Sequence, residues 1–305
     1  MSTGTKLEKE YNKHGTEEIE ADTEEKLIDD GYESAGYVGS TSSLRSAVGK
    51  YLMNGRLHLA PIDTSNPQRI LDLGTGTGIW AIDIADSYPS AEVIGVDLSP
   101  IQPQWVPPNC RFEVDDIELP WTYQANSFDF IHSRNLEDCI KDWPSLMSSI
   151  YRCLSPGGYF ELVETTPDAL CDDRTLPSDC SLRKALDYYQ EGMKSAGRGN
   201  FVTPTILRER LEAAGFESVQ VVTVKQPIGS WPKERRLKRI GALARLVYTA
   251  GLEAYANAVM KRFLKVEADI VDGLVKGAIE DLKNNRYHTY NYLHIAYGRK
   301  PKLGE

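Results

Sequence analysis

A chain of 305 residues with 41% apolar content can bury a sizeable core, either as one large domain with additions or as two small ones. Its net charge of -9 argues against direct nucleic-acid binding, which depends on Lys and Arg neutralising phosphates, and no run approaches the roughly 20 apolar residues of a membrane span. Five cysteines, odd in number and without a CxxC pair, favour reduced thiols inside a cell, and the scattered histidines show no metal-ligand spacing, so no metal is expected.

The N-terminus, MSTGTKLEKEYNKHG, lacks the apolar centre of a signal peptide. Residues 1–30 carry more Glu and Asp than Lys and bury little apolar surface, which predicts a solvated, disordered tail; a docking arm for a basic partner is the alternative. In residues 31–62, Tyr32, Tyr37, Leu44, Val48, Tyr51, Leu52 and Leu57 give a partly helical pattern. Ser42 or Ser43 is expected to cap a helix running to about Met53, which either covers a ligand or simply packs. The domain proper is expected over 63–301.

Arg69–Leu73 reads as a buried strand, Ile79–Asp86 as a helix and Glu92–Val96 as a second strand. Between strand and helix, Gly74, Gly76 and Gly78 alternate with Thr75 and Thr77. Glycines here allow positive φ and close approach of a ligand to the backbone. A dinucleotide fingerprint would need a third glycine where Ile79 stands, and it serves a pyrophosphate. Asp72 beside the turn repels phosphate but suits an ammonium or sulfonium group, and Asp97 offers two acceptor oxygens to a ribose diol. Together they point to S-adenosyl-L-methionine rather than NAD.

After a proline-rich stretch, Cys110–Val114 is a third strand, Ser127–Ser133 a fourth, Trp143–Leu154 a helix broken by Ser155-Pro156-Gly157-Gly158, and Tyr159–Val163 a fifth strand. Alternating strands and helices predict a parallel sheet with crossovers, whose ligands bind at the carboxyl ends of the strands. Asp72, Asp97, Asp116, Ser133 and Glu164 all fall at such ends and should gather on one edge. Helices follow over Leu182–Ala196 and from Thr203, as cap, to Gly215; Val219–Lys225 is a sixth strand. Trp231 to about Lys283 is helical throughout, with Lys233, Arg235, Arg236, Lys238 and Arg239 in its first turns, expected as a solvated face or else a contact for an acidic partner. Tyr290–Arg299 is the seventh strand, so a helical insertion of about 231–285 interrupts the last hairpin and is well placed as a substrate lid.

The stretches ILDLGTGTGIWAIDIADSYPSAEVIGVDLSPIQPQWVPPN, FEVDDIELPW, FDFIHSRNL, YRCLSPGGYFELVE and WPKERRLKRIG resemble the fungal LaeA-like methyltransferases, a branch of the class I S-adenosylmethionine-dependent enzymes, from about Arg56 to Pro301. The resemblance implies an α/β, Rossmann-like seven-stranded sheet with its last strand antiparallel. It implies that Asp72 and the turn Gly74, Thr75, Gly76 and Gly78 hold the methionine half of the cofactor. Asp97 would bind the ribose hydroxyls and Leu98 lie on the adenine. Asp116 would accept from the adenine amino group with Ile117 beside the ring, and Ser133 would line the cofactor through its backbone.

Methyl transfer is an in-line displacement to which the protein mainly contributes alignment. A general base is needed only for a protonated nucleophile. His132 is one candidate, beside the reading that it is a packed strand histidine; Glu164, Tyr37 and His288 are weaker ones. Arg134 either meets an acidic substrate or pairs with Asp129 or Glu137. The expected function is O- or N-methylation of a small molecule in fungal secondary metabolism, in the cytosol. The alternatives are a nuclear, partner-bound regulator of the LaeA type that methylates proteins, and a fold that binds the cofactor without transferring methyl.

Overall fold

The structure, a computed structural model, describes residues 11, 15, 17–22, 41–63, 68–198, 202–302 and 304. Tyr32, Tyr37 and most of the acidic N-terminal stretch lie outside them. Seven strands form one sheet in the order β3-β2-β1-β4-β5-β7-β6. They are β1 (Arg69–Leu73), β2 (Glu92–Asp97), β3 (Cys110–Val114), β4 (Phe128–Arg134), β5 (Leu154–Thr165), β6 (Glu217–Pro227) and β7 (Tyr290–Arg299). β1 to β5 run parallel, and β7 inserts antiparallel between β5 and β6.

The inner parallel strands are largely apolar on both faces because helices cover both, whereas the edge strand β3 alternates Arg111 and Glu113 with apolar residues. One face, carrying Ile70, Val93 and Phe130, packs against α1 (Thr41–Leu52), α2 (Ile79–Ser87) and α6 (Arg235–Gly251). The other face, carrying Leu71, Ile94 and Ile131, packs against α3 (Trp143–Cys153) and α5 (Pro204–Ala213). The alternation of neighbouring residues between faces is the two-residue period of a strand. Two helices start as their sequences predict. Asp142 accepts from Ser145 N–H at 3.0 Å ahead of Pro144, and Thr203 accepts from Ile206 N–H at 3.2 Å ahead of Pro204. Proline at the first helical positions sacrifices only an N–H that has no intrahelical partner.

The expected boundaries shift in four places. Ser42 and Ser43 lie inside α1. Ser155–Gly158 does not separate α3 from β5. β5 begins at Leu154, pairs with Phe128, and absorbs the glycines at an irregularity before Tyr159. The block between β6 and β7 is segmented. Trp231 precedes it in extended chain, and α6 passes through a π-helical turn (Leu252–Ala256) into α7 (Asn257–Arg262) and then α8 (Ala268–Lys283), which packs on α4 (Ser181–Ser195). Finally, residues 17–22 are not a solvated tail. Asp22 N–H donates to Trp231 O at 2.8 Å and Lys233 N–H to Glu20 O at 2.9 Å, while Lys233 pairs with Glu20 and Lys238 with Asp22. The basic cluster thus meets acidic residues of its own chain.

One polar contact locks the segment between α1 and β1 onto the sheet. Glu161, fully buried on β5, accepts from the N–H groups of Leu59 and Ala60 at 2.8 and 2.6 Å through Oε2, and its Oε1 has no partner. Burial pushes its carboxyl up to about 7 despite those donors. A carboxyl raised on folding binds its proton more tightly in the native state, so its penalty is absent below the unfolded value and complete above the folded one. Stability should therefore fall between about pH 5 and pH 7. Glu161→Gln should match the parent at pH 5 and exceed it by about 3 kcal/mol at pH 8 in urea unfolding; equal curves at both pH values would refute this.

Candidate cofactor and acceptor site

β1 has β2 on one side and β4 on the other, so the chain crosses over in opposite directions on its two flanks. Crevices form at such switch points, at the carboxyl ends of the strands. The β1–α2 turn fills this place. Gly74, Gly76 and Gly78 take φ of 61°, 58° and 77°, in the left-handed region. A Cβ at Gly78 would stand 2.3 Å from the Phe112 ring, and one at Gly74 would stand 2.4 Å from Leu136. Conformation and space both demand glycine there.

Asp72 holds this turn from below. It is 3% exposed; Oδ2 accepts from Thr75 Oγ1 at 2.6 Å, and Oδ1 faces His132 Nδ1 at 2.8 Å. His132 stacks on Trp80, with centroids 3.7 Å apart and planes 5° from parallel, and Trp80 Nε1–H donates to Leu57 O at 2.8 Å. Burial lowers the His132 pKa, so the neutral ring donates its Nδ1–H to the carboxylate. Both Asp72 oxygens thus serve the protein, and the carboxylate lies under the turn.

Above the turn, Asp97 at the end of β2 accepts from Gly76 N–H at 2.8 Å and Ser99 N–H at 2.9 Å, one on each oxygen. Each oxygen keeps a lone pair for a further donor. Leu98 is 67% exposed beside it. Asp116 accepts from Glu118 N–H at 2.9 Å through Oδ1, and Ile117 is half-buried next to it. Ser133, opposite Leu73 in the sheet, is buried with its Oγ unpartnered, as is Thr77 Oγ1. Gln102, which sequence reasoning missed, donates to Gly76 O at 2.6 Å and Ser99 O at 2.9 Å and ties the turn to the loop after β2. A lone Gln in a proline-rich loop carries no motif by which to find it.

Residues 44–221 match the methyltransferase domain family. The chain belongs to that family. It is similar to the secondary metabolism regulator LAE1 of Cochliobolus heterostrophus, 41% identical over 254 residues, covering 81% of this chain and 82% of that one. It is similar also to methyltransferase pytC of Aspergillus terreus, 38% identical over 251 residues, covering 82% and 76%. Among solved structures, Haemonchus contortus phosphoethanolamine N-methyltransferase 2 in complex with S-adenosyl-L-methionine aligns with 21% identity and a TM-score of 0.48, covering 84% of this chain and 52% of that one. The chain is a LaeA-like methyltransferase, and its methyl donor is S-adenosyl-L-methionine. The residues present fit that group: a backbone cradle without Cβ atoms, carboxylate lone pairs at the ends of β2 and β3, and an exposed leucine between them.

Beside the turn, the methyltransferase has a partly open cavity of about 350 Å³. Its floor is the chain after β4 and the end of β5; its walls come from α1, α4 and α6. Asn135, at φ 53°, turns the chain off β4 and donates its N–H to Val163 O at 2.9 Å, which brings Arg134, Glu137 and Asp138 to the cavity. Glu164 accepts from Leu136 N–H at 2.9 Å and also from Glu137 N–H. Burial, with the Glu137 charge nearby, pushes its carboxyl up to about 8. Tyr189 donates its hydroxyl to Asp138 at 2.8 Å.

Glu164 and Arg134 thus line the cavity, whereas two other sequence candidates do not. His132 is sealed between Asp72 and Trp80, outside the lining, which removes it as a base for an acceptor there. His288 is remote, paired with Asp173 at 2.5 Å and set against Trp231. Tyr37 lies outside the described residues. Arg45 and Tyr248 were not found from sequence, since a helical pattern marks which residues are apolar and not which polar ones face a cavity.

Gly78→Ala tests the cradle. The left-handed φ and the Phe112 contact together should cost about 2–4 kcal/mol in denaturant unfolding, and Phe112→Ala in the same chain should return part of it. A stability unchanged by Gly78→Ala would show that the turn tolerates a side chain.

Proposed function

We propose that this methyltransferase moves the methyl group of S-adenosyl-L-methionine to a small-molecule acceptor of secondary metabolism held in the cavity beneath α6. One observation carries this reading: the cavity is a partly open cleft, largely apolar, and of the size that suits a small organic ligand, beside the strand ends where the cofactor cradle lies. The cofactor supplies a methyl carbon on a sulfonium, an electrophile with a good leaving group. The protein's own residues bind and align. Gly74, Thr75, Gly76 and Gly78 give backbone contact to the methionine half, and Asp72 fixes their conformation from below. Asp97 receives the ribose hydroxyls, Asp116 the adenine amino group, with Leu98 and Ile117 against the ring, and Ser133 lines the floor.

For an acceptor that arrives as a hydroxyl or an amine cation, the ionised fraction of Glu164, which grows as the pH rises towards about 8, takes the proton within the cavity. Helices α6 to α8 act as the cover under which water is excluded, and residues 17–22 strap its start. The cytosol is the expected compartment, with a small-molecule acceptor as the partner.

A second reading, a nuclear regulator acting in a protein complex, is favoured by the similarity to LAE1 and to laeA of Monascus pilosus, both named as secondary metabolism regulators. Metabolite profiles of the producing strain with and without the gene separate the two. Loss of one methylated compound with accumulation of its precursor supports the enzyme; broad change across many pathways supports the regulator.

Asp97→Ala should weaken S-adenosyl-L-methionine at least about a hundredfold in calorimetry, since two charge-assisted hydrogen bonds are lost, with the circular dichroism unchanged. Unchanged affinity would remove Asp97 from the ribose site. In steady-state assays the transfer rate to a hydroxyl acceptor should rise through about pH 8, and Glu164→Gln should abolish that rise.

A further inference from the structure

The cavity has a mainly apolar wall, yet it holds a guanidinium that no carboxylate among the described residues hydrogen-bonds. Arg134 sits at the end of β4, and its tip lies against α1, where a Cβ built on Gly49 would stand 3.5 Å from Nη1. Among the described residues it makes no hydrogen bond and no ion pair. The two partners expected from sequence are taken. Asp129 accepts from Arg69 N–H at 2.8 Å, and Glu137 forms a double hydrogen bond with Arg210 at 2.6 and 2.9 Å. Desolvation of an unpaired guanidinium is costly, and a buried cation ordinarily has its counterion.

None of the other described ionisable groups facing the cavity forms a hydrogen bond or ion pair with Arg134. Arg45, on α1, lines the cavity beside it and is engaged in contacts of its own. Glu137 is paired with Arg210, Asp138 accepts from the Tyr189 hydroxyl, and the charges of Asp72 and Asp83 act on Arg134 without hydrogen-bonding it. Burial holds Glu164 largely protonated at neutral pH, and it raises the Cys139 thiol and the Tyr189 and Tyr248 phenols above their ordinary values. The cavity therefore presents a guanidinium with no hydrogen-bonded counterion against an apolar wall that includes Val48, Leu186, Met193, Val247 and Val259.

We propose that the methyl acceptor is an amphipathic organic acid whose carboxylate pairs with Arg134, while its apolar body fills the rest of the cavity. This rests on the small-molecule reading above and adds the acceptor's chemical class. A planar fork of donors matches a carboxylate, and a cavity otherwise this apolar has too few donors for a phosphate dianion. The lining includes none of Gly74–Gly78, so Arg134 faces the acceptor side rather than the cofactor cradle. Arg134 is thus a specificity-determining residue.

The test uses the full chain saturated with S-adenosylhomocysteine and titrated calorimetrically with cinnamate, cinnamamide and cinnamyl alcohol, which share one apolar body. The wild type should bind cinnamate about ten- to a hundredfold more tightly than the amide or the alcohol. In Arg134→Gln that preference should vanish while the affinity for S-adenosylhomocysteine stays within about twofold, which also reports folding. Arg134→Lys, which keeps the charge and loses the fork, should keep a reduced preference. Equal binding of all three probes to the wild type would overturn the carboxylate and leave the small-molecule cavity standing. Loss of S-adenosylhomocysteine affinity in Arg134→Gln with the fold intact would overturn it too, by assigning the guanidinium to the cofactor's carboxylate. Failure of every probe to bind a protein that does bind S-adenosylhomocysteine would sink the cavity reading and the inference together.

Discussion

A carboxylate with almost no access to water sits beneath the glycine turn, and the site is built outward from it. Asp72 is at the centre of the sheet, where burial of a charge is tolerated only if its oxygens are hydrogen-bonded. Thr75 satisfies one oxygen and His132 the other. The first bond fixes the turn, and the second fixes an imidazole whose face supports Trp80 on α2. Trp80 in turn holds the segment that links α1 to β1 through Leu57. Glu161 binds the same segment at Leu59 and Ala60 from β5. The cradle and the wall of the cavity are therefore coupled through a short chain of buried polar contacts. Such networks are rigid when fully satisfied, and they are costly to leave half made.

The cavity obtains its character from which of its charges are already spent. Arg210 lies over the Trp143 ring and grips Glu137, and Tyr189 occupies Asp138. Glu164 is held by backbone N–H groups, yet burial outweighs them and keeps its proton on at neutral pH. What remains is the guanidinium of Arg134 in a setting of low dielectric, where an unpaired charge acts strongly on whatever enters. Helix α6 contributes to the same setting. It places Ala244, Val247 and Tyr248 on the cavity wall. Its start is held by residues 17–22, whose acidic side chains meet Lys233 and Lys238.

The elements legible in the sequence were those with a strong local signature. Most of the parallel strands are apolar runs, and the cap at Thr203 with the proline after it fixes a helix start by local hydrogen bonding. The glycine turn was legible because only glycine tolerates both its φ values and its neighbours. Legibility failed where distant contacts decide. Ser155–Gly158 reads as a break, but strand pairing with β4 and β7 draws it into the sheet. The 231–283 block reads as uniform helix, because periodicity is blind to the π-helical turn and the bends by which it follows the sheet. The acidic N-terminal stretch reads as solvated by composition, whereas residues 17–22 find the basic start of α6 more than 200 residues along the chain.

The sequence by itself determined the sheet, the turn and the acidic strand ends, since backbone conformation and burial pattern depend on residues close together in the chain. Tertiary structure alone decided which ionisable groups work inward and which outward. His132 and Glu164 are both titratable residues near strand ends, and nothing local tells them apart. Packing seals the first between Asp72 and Trp80 and turns the second to the cavity. Arg134 has two acidic residues close by in sequence and pairs with neither: Arg210 holds Glu137, and Asp129 stands at the other end of β4, where it accepts from Arg69 N–H. Charge pairing is a competition in three dimensions, and its outcome is fixed only when the distant competitors are in place.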